Sequence, residues 1–511
     1  MIKSSYIYLR GQLHPFLLCW AFGLTLLIIS CGHSATVPSV FTEVADSAVI
    51  YPDYRDVTIP PNIAPMNFMV IDSAADAFVA DIDGIVCGAG ADGKMDIDST
   101  AWRRLLNERR GKDVNITIYA RRSDGWVRQP GFVLHVAEEE IDPYVTYRLI
   151  EPGYELYLQL GIYQRNMTNF DVHTVYENDR DIHPGENHCI NCHSFQNNDT
   201  ERMYLHVREN HRGTVFTHGK DAHKVIIKHE SIITSGAYGN WHPFLPLVAF
   251  STNKTEQFFH FKYRERIETY DQRSDLLLYD ADRNEVKHIL RTPDHFETFP
   301  CWSPDGTRLY YCDGVLKNTH GVDPDLAVIA NYDSLYYDIY SMPFDTVTYT
   351  FGEPQLEVEA SARNLSCSVP RVSPDGQYLL FALAQYGQFH LYHRSSDQWV
   401  KEIGGDRVYP LTATNSPEAD SFHSWSSNSR WFVFSSRRDD TDYTRTYIAY
   451  FDKQGRGHRA FLLPQRDPEY NLMLLKSFNV PELTRTPVRV SEEKMEYVIR
   501  RTEGELATYK D

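Results

Sequence analysis

The residues with the clearest chemical meaning in this chain are Cys189-Ile190-Asn191-Cys192-His193. Two thiols three positions apart can form thioethers with the two vinyl groups of one porphyrin. The imidazole directly after them can then ligate the iron. C-x-x-C-H is the attachment pattern of a covalent c-type haem. With 8 Cys and 21 His in 511 residues, chance produces about 0.005 such pentads per chain. Two other chemistries could use the same residues: a zinc knuckle with His183 and His188 as further ligands, or a short-loop disulfide between Cys189 and Cys192. The expectation is one haem c, held by Cys189 and Cys192 and ligated by His193.

A second axial ligand has to come from elsewhere. His206 lies in a strand-like run, Met203 to Arg208, shortly after the motif and is the first candidate. Met203, His183, His188, His211 and His218 are also near in sequence. A His ligand sets a lower potential than Met. A vacant position would permit peroxide chemistry instead.

The elements that must position this motif read as β. Aromatic residues make up 13% of the chain, with 33 Tyr, which favours sheets. Residues 166–200, around the motif, are rich in Asn, Asp and His and carry no apolar period. They are too few for an independent domain, so a haem there must lie against its neighbours. Before them, residues 60–165 hold strand candidates at Asn67 to Ile71, Val114 to Ala120, Phe132 to Val136, Thr146 to Ile150 and Glu155 to Ile162, with a turn at Asp124-Gly125. They predict a β-sandwich-like domain with one short helix near Trp102 to Arg110. The acidic residues Asp81, Asp83, Asp92, Asp96 and Asp98 fail the EF-hand template, because Lys94 and Arg103 stand where ligands belong.

After the motif the chain repeats itself. Trp302-Ser303-Pro304-Asp305-Gly306-Thr307-Arg308-Leu309-Tyr310-Tyr311 recurs at Val372 to Phe381 and at Trp425 to Phe434, with a decayed copy from Trp241 to Phe250. Each copy is a strand, a tight turn and a strand, with Pro and Asp-Gly supplying the turn. Further strands are expected at Asp275 to Tyr279, Asp338 to Met342, Phe389 to Tyr392 and Tyr447 to Tyr450. Copies are 61, 70 and 53 residues apart, a spacing that suits four-stranded blades. The W-S-P-D-G turn followed by a D-I-Y-type strand resembles the TolB-like β-propeller repeat. That resemblance implies a C-terminal propeller of five to six blades over residues 201–500.

The first thirty residues read as a targeting segment. Lys3 and Arg10 precede the apolar run Phe16 to Ile29, and Leu27-Ile28-Ile29-Ser30-Cys31-Gly32 resembles the lipobox of bacterial lipoproteins. The resemblance implies cleavage before Cys31 and its lipidation. Residues 32–59 then read as a tether. A formal charge of −18 with no basic stripe argues against nucleic acid or anionic lipid as partner. Loading of c-type haem outside the cytoplasm and the lipobox point to one place, the bacterial cell envelope, lipid-anchored and facing the periplasm.

The chain as a whole resembles lipid-anchored, c-type cytochrome-like proteins with a TolB-like propeller. No G-x-S-x-G elbow, H-E-x-x-H helix or P-loop is present, so no catalytic residue is assigned. The expected function is electron transfer or redox sensing with an unidentified redox partner, the propeller serving as docking module. The alternative is a non-redox propeller that binds an envelope protein or glycan, with the haem, or a zinc ion or disulfide at the same cysteines, in a structural role.

Overall fold

The computed structural model describes residues 35–151, 159–179, 188–262, 265–316 and 324–511. The targeting segment and Cys31 lie outside the described residues, as does His183. No helix among those described is long and apolar enough to cross a membrane.

The repeats fold as the turn chemistry requires. In the three close copies Ser303, Ser373 and Ser426 each donate a backbone N–H across the turn, to Arg308, Tyr378 and Trp431 O, all at 2.8 Å. Asp305 and Asp375 accept from the Ser hydroxyl two residues earlier at 2.6 Å. The fourth turn residue must be left-handed. Gly306 and Gly376 have φ of +70° and +72°, and Ser429 takes φ +62° in the third copy. The decayed copy keeps the crossing bond, His242 N–H to Leu247 O at 2.8 Å. Its imidazole Nδ1 replaces the missing Asp by accepting from Phe244 and Leu245 N–H.

Six four-stranded units can be traced among the described residues, and they make a β-propeller. Counted from the axis outward, blade 2 is His188–Gln196, Asp199–Glu209, Gly213–His218 and Asp221–Ile226. Blade 3 is Ala237–Trp241, Leu247–Lys262, Glu265–Asp280 and Glu285–Leu290. Blade 4 is His295–Trp302, Arg308–Val315, Tyr337–Asp345 and Gln355–Val358. Blade 5 is Ser366–Val372, Tyr378–Ala384, Asp397–Glu402 and Val408–Pro410. Blade 6 is Asp420–Trp425, Trp431–Ser436, Arg445–Tyr450 and Phe461–Leu462.

Blade 1 joins distant parts of the chain. Its inner strand, Ser477–Thr484, runs antiparallel to Tyr144–Ile150, which is followed outward by Gly161–Asn166 and Val172–Glu177. The helix Glu492–Arg501 then packs Met495, Val498 and Ile499 on the core between blades 1 and 2. The last residues strap the rim: Glu505–Leu506 pairs with Val225 and Ile226, and Thr508–Tyr509 with Glu285 and Val286.

Several sequence expectations are therefore redrawn. The candidates Thr146 to Ile150 and Glu155 to Ile162, expected in a sandwich, correspond to the propeller strands Tyr144–Ile150 and Gly161–Asn166: the first pairs with Ser477–Thr484 and the second with the first. The segment 166–200 is no separate unit; it supplies an outer strand of blade 1 and the inner strand of blade 2. The expected tether already carries the strands Thr42–Glu43, Ile50–Tyr51 and Val57–Ile59. Phe389 to Tyr392 is not a strand but a 3-10 turn at His390–Tyr392. There tertiary contacts override β-propensity, with Phe389 packed on Phe422 at 5.5 Å. Ahead of the propeller, the sheet around Asp113–Arg122 pairs with Ala77–Ile82, Gly125–Arg128 and Phe132–Val136. The helix Ser99–Glu108, capped by Asp98, packs Trp102, Leu105 and Leu106 into a core shared with blades 5, 6 and 1.

Ring closure through Ser477–Thr484 makes its buried side chains sensitive. Leu483, fully buried, is expected to cost about 2–5 kcal/mol on replacement by Ala. Leu506→Ala, at a site 64% exposed, should stay within about 0.5 kcal/mol. Urea denaturation of the two variants makes the comparison.

Candidate functional site

The inner strands share an irregularity that builds the site. Pairing with the second strand slips at Ala237/Asn240, Thr298/Cys301, Ser368/Arg371 and Ser421/Ser424, and at Thr146/Arg148 where Ser477–Thr484 pairs. The residue at the slip is left-handed each time: Tyr238, Phe299, Val369, Phe422 and Val480 have φ between 46° and 52°. Such conformations cost about 1–3 kcal/mol each, most of all at β-branched Val, and persist only where surrounding structure enforces them. In blade 2 the slip falls between Asn191 and His193. Cys192 thus occupies the register position of those five residues; its side chain lies outside the described set.

Two residues beyond the slip, each inner strand carries a residue that faces its neighbour. Going round the ring these are Glu482, Ser194, Asn240, Cys301, Arg371 and Ser424. Four accept a backbone N–H from the next blade. Glu482 takes Phe195 N–H at 3.0 Å, Asn240 takes Trp302 N–H at 2.9 Å, and Cys301 Sγ and Ser424 Oγ take Val372 and Leu483 N–H at 3.5 Å. In the other two the main chain accepts instead, Ser194 O from Trp241 Nε1 at 3.2 Å and Arg371 O from Trp425 Nε1 at 3.0 Å. Hydrogen bonds thus form a belt around the axis.

Inside the belt lies a cavity of about 150 Å³. His193, Asn240, Arg371, His423 and Glu482 border it, with Tyr238, Phe299, Phe422 and three Trp as apolar walls. Asn197, Asn198, Pro304 and Pro374, from the turns, line one end. Phe389 and Leu391 pack with Phe299 and Phe422 toward the other. Beyond them, fully buried Asp271 accepts from Asn253 at 2.6 Å, Thr255 at 2.6 Å and Gln388 at 3.1 Å. Burial pushes its carboxyl up to about 6 against those bonds.

His193 is buried on the side facing blade 1. Burial, reinforced by the Arg148 guanidinium, pushes its imidazole down to about 3, with a hydrogen bond to the Thr146 backbone acting the other way. The ring is therefore neutral at pH 7. Its Nε2 has no hydrogen-bond partner among the described residues. Arg148 also clamps the motif's backbone, donating to Ile190 O at 3.0 Å and to Asn191 Oδ1 at 2.8 Å. A neutral imidazole with one nitrogen held by the backbone and the other bare is what an iron ligand needs. The axial cavity, however, is the size of one that takes benzene and well under the about 300 Å³ of ordinary ligand pockets. Cys189 packs on Ile150 and Leu160. The donor chemistry of the motif fits a haem, and the axial cavity is not its berth.

The structure does not bring His206 to His193. His193 pairs with Leu205, on the face that packs against blade 1. His206 is next in the strand and points to the opposite face, toward blade 3, where its Nδ1 meets Thr214 Oγ1 at 3.1 Å. A sheet separates the two imidazoles. Met203 shares the face of His193 but is fully buried in the apolar core with Ile162 and Val175. His188 meets Tyr176 Oη at 2.9 Å and stacks edge-on with His211. Exposed His218 lies beside Glu201. Among the described residues no cluster of three His, Cys, Asp or Glu side chains is arranged to hold a metal ion. Cys301 and Cys312, on paired strands, are free thiols.

Sequence reasoning missed Arg371, Glu482 and His423. His423 stands in blade 6 where His193 stands in blade 2. Its Nε2–H donates to Leu380 O at 3.1 Å, and burial pushes it down to about 3. A signal was available for two of them, since Arg371 lies one residue before the copy at Val372 and His423 two before the copy at Trp425; Glu482 lies in the closing strand, which carries no copy.

No family model and no curated protein matches this chain. Its fold is similar to several solved propellers. The β-propeller domain of the Trilobed protease from Pyrococcus furiosus is 8% identical, with 79% of this chain and 95% of that chain covered at a TM-score of 0.32. A putative 6-phosphogluconolactonase from Bacteroides uniformis is 8% identical over 63% of this chain and 97% of that one, at 0.32. The tricorn protease is 12% identical over 81% and 40%, at 0.26. Likenesses this loose carry no argument about activity; the class rests on the blades themselves. The chain is a β-propeller protein.

Glu482 supplies a test of the belt. Burial pushes its carboxyl up to about 7 from 4.5, against the Phe195 N–H and Arg371. The folded state therefore holds this proton more tightly than the unfolded chain, and the contribution to stability falls as pH rises between those values. Glu482→Gln should gain on the wild type over that range and stay level above it, in urea midpoints taken from pH 4 to 8. Glu482→Ala leaves Phe195 N–H without its acceptor and should cost about 1–3 kcal/mol at pH 6.

Proposed function

We propose that this chain is a lipid-anchored cell-envelope protein that carries one haem on Cys189 and Cys192, with His193 as proximal ligand, and transfers single electrons. The observation that supports this reading best is the His193 imidazole, neutral, buried and bare at Nε2. When bound, the haem iron would supply reversible one-electron chemistry. The chain's own residues perform the rest. Arg148 fixes the backbone of the motif through Ile190 O and Asn191. The Thr146 backbone holds the other side of the His193 ring, and the belt keeps the strand rigid. Lipidation at Cys31 would place the protein on the membrane, and the propeller would dock the redox partner.

His206, on the other face of the blade, would not reach an iron held by His193. A non-redox binding propeller is the second reading, and the axial cavity is the observation that favours it.

Expression with cytochrome c maturation machinery tests the proposal. The intact mass should rise by one haem that survives denaturation, with c-type bands on reduction. Cys189→Ser/Cys192→Ser should lose both signals, while His206→Ala should leave the reduced spectrum unchanged. A chain that folds in that host yet gains no haem mass would overturn the electron-transfer reading.

A further inference from the structure

The belt around the axis asks for an acceptor at one place in every blade. Glu482, Asn240, Cys301 and Ser424 provide it with their side chains. Arg371 cannot, because a guanidinium has donors only. Its main-chain carbonyl serves the belt instead, through Trp425 Nε1. The side chain is left over. Its Nη1 donates to Pro370 O at 2.8 Å and the guanidinium also hydrogen-bonds the Cys301 thiol of blade 4; it forms no ion pair among the described residues, and the carboxyl it acts on is that of Glu482 at the same cavity. A half-buried cation held short of an ion pair is costly, and nothing in the belt's geometry calls for one.

We propose that the axial cavity binds a compact apolar monocarboxylate, with Arg371 as the carboxylate-binding residue and Glu482 across the axis as its second polar contact. A free acid and the end of a peptide present the same carboxylate, and that is the chemistry recognised. A planar guanidinium matches a carboxylate in bidentate fashion. The volume of about 150 Å³ suits a body of about benzene size, and Phe299 and Phe422 wall it. The charges facing Glu482 are few. Arg371 is the cation, while His193 and His423 are neutral, each pushed down to about 3 by burial. Below pH 7 a protonated Glu482 donates to the ligand; above it, its charge repels a second carboxylate. This site does not rest on the haem reading.

Titration calorimetry of the full chain with benzoate, N-acetylphenylalanine and benzamide tests the proposal. Benzoate should bind, and neutral benzamide should bind at least about tenfold more weakly. Binding of N-acetylphenylalanine as well would identify a chain terminus as the source, and binding of benzoate alone a free acid. Arg371→Gln, checked by circular dichroism for a native melt, should lose about tenfold to a hundredfold in affinity. Wild-type affinity should fall from pH 6 to pH 8, and Glu482→Gln should abolish that dependence. No acid binding at millimolar concentration, or equal binding by Arg371→Gln, overturns the site. If Arg371→Gln does not fold, the pH profile of Glu482→Gln decides: a profile like the wild type's also overturns it.

Discussion

Everything in this molecule depends on the ring being closed by a strand from the far end of the chain. Ser477–Thr484 enters blade 1 beside Tyr144–Ile150, more than 300 residues earlier in sequence. That pairing converts a row of sheets into a ring, and a ring of blades leaves only short, protected inner edges. It also brings each inner strand close to the next. Beyond the slips a backbone N–H in four blades and a Trp Nε1–H in the other two find their acceptors on the neighbouring blade, at the residues from Glu482 round to Ser424.

The slip itself is the device that makes a site out of a scaffold. A regular strand points alternate residues to alternate faces, and at the narrow axis this would crowd the ring. One left-handed residue in each of five inner strands turns the chain there and leaves a small cavity behind it. Strained backbone at Tyr238, Phe299, Val369, Phe422 and Val480 is tolerated because the blades on either side leave no alternative. Blade 2 places Cys192 and His193 in this same stretch, and blade 5 places Arg371 there. The chemically unusual residues of the chain thus gather where the scaffold is already irregular.

Legibility followed the range of the interactions. The turns after Trp302, Val372 and Trp425 could be read directly, since Ser, Pro, Asp and Gly act within five residues of one another. So could the decayed copy at Trp241, although Phe244 stands where the Asp would be and the His242 imidazole takes over its role. Strands at Asp275, Asp338 and Tyr447 stood out as short apolar or D-I-Y-type runs following each copy. The inner strands did not. His188–Gln196 is polar and slips at Cys192, so it has no period to detect. Thr146 to Ile150 reads as a strand in any sheet, and nothing local says that its partner is Phe478 and not a sandwich neighbour. Phe389 to Tyr392 has the composition of a strand and is drawn into a turn by Phe422.

By itself, then, the sequence determined the turns, the mainly β propeller architecture and the motif whose cysteines and histidine invite a haem, because those signals are local. Tertiary structure alone decided where the motif sits, which face His206 takes, and which residues meet at the axis. Strand pairing sets these, and a pairing between residues hundreds of positions apart leaves no trace in either segment. One step along a strand reverses the direction of a side chain, and that single step separates His206 from His193.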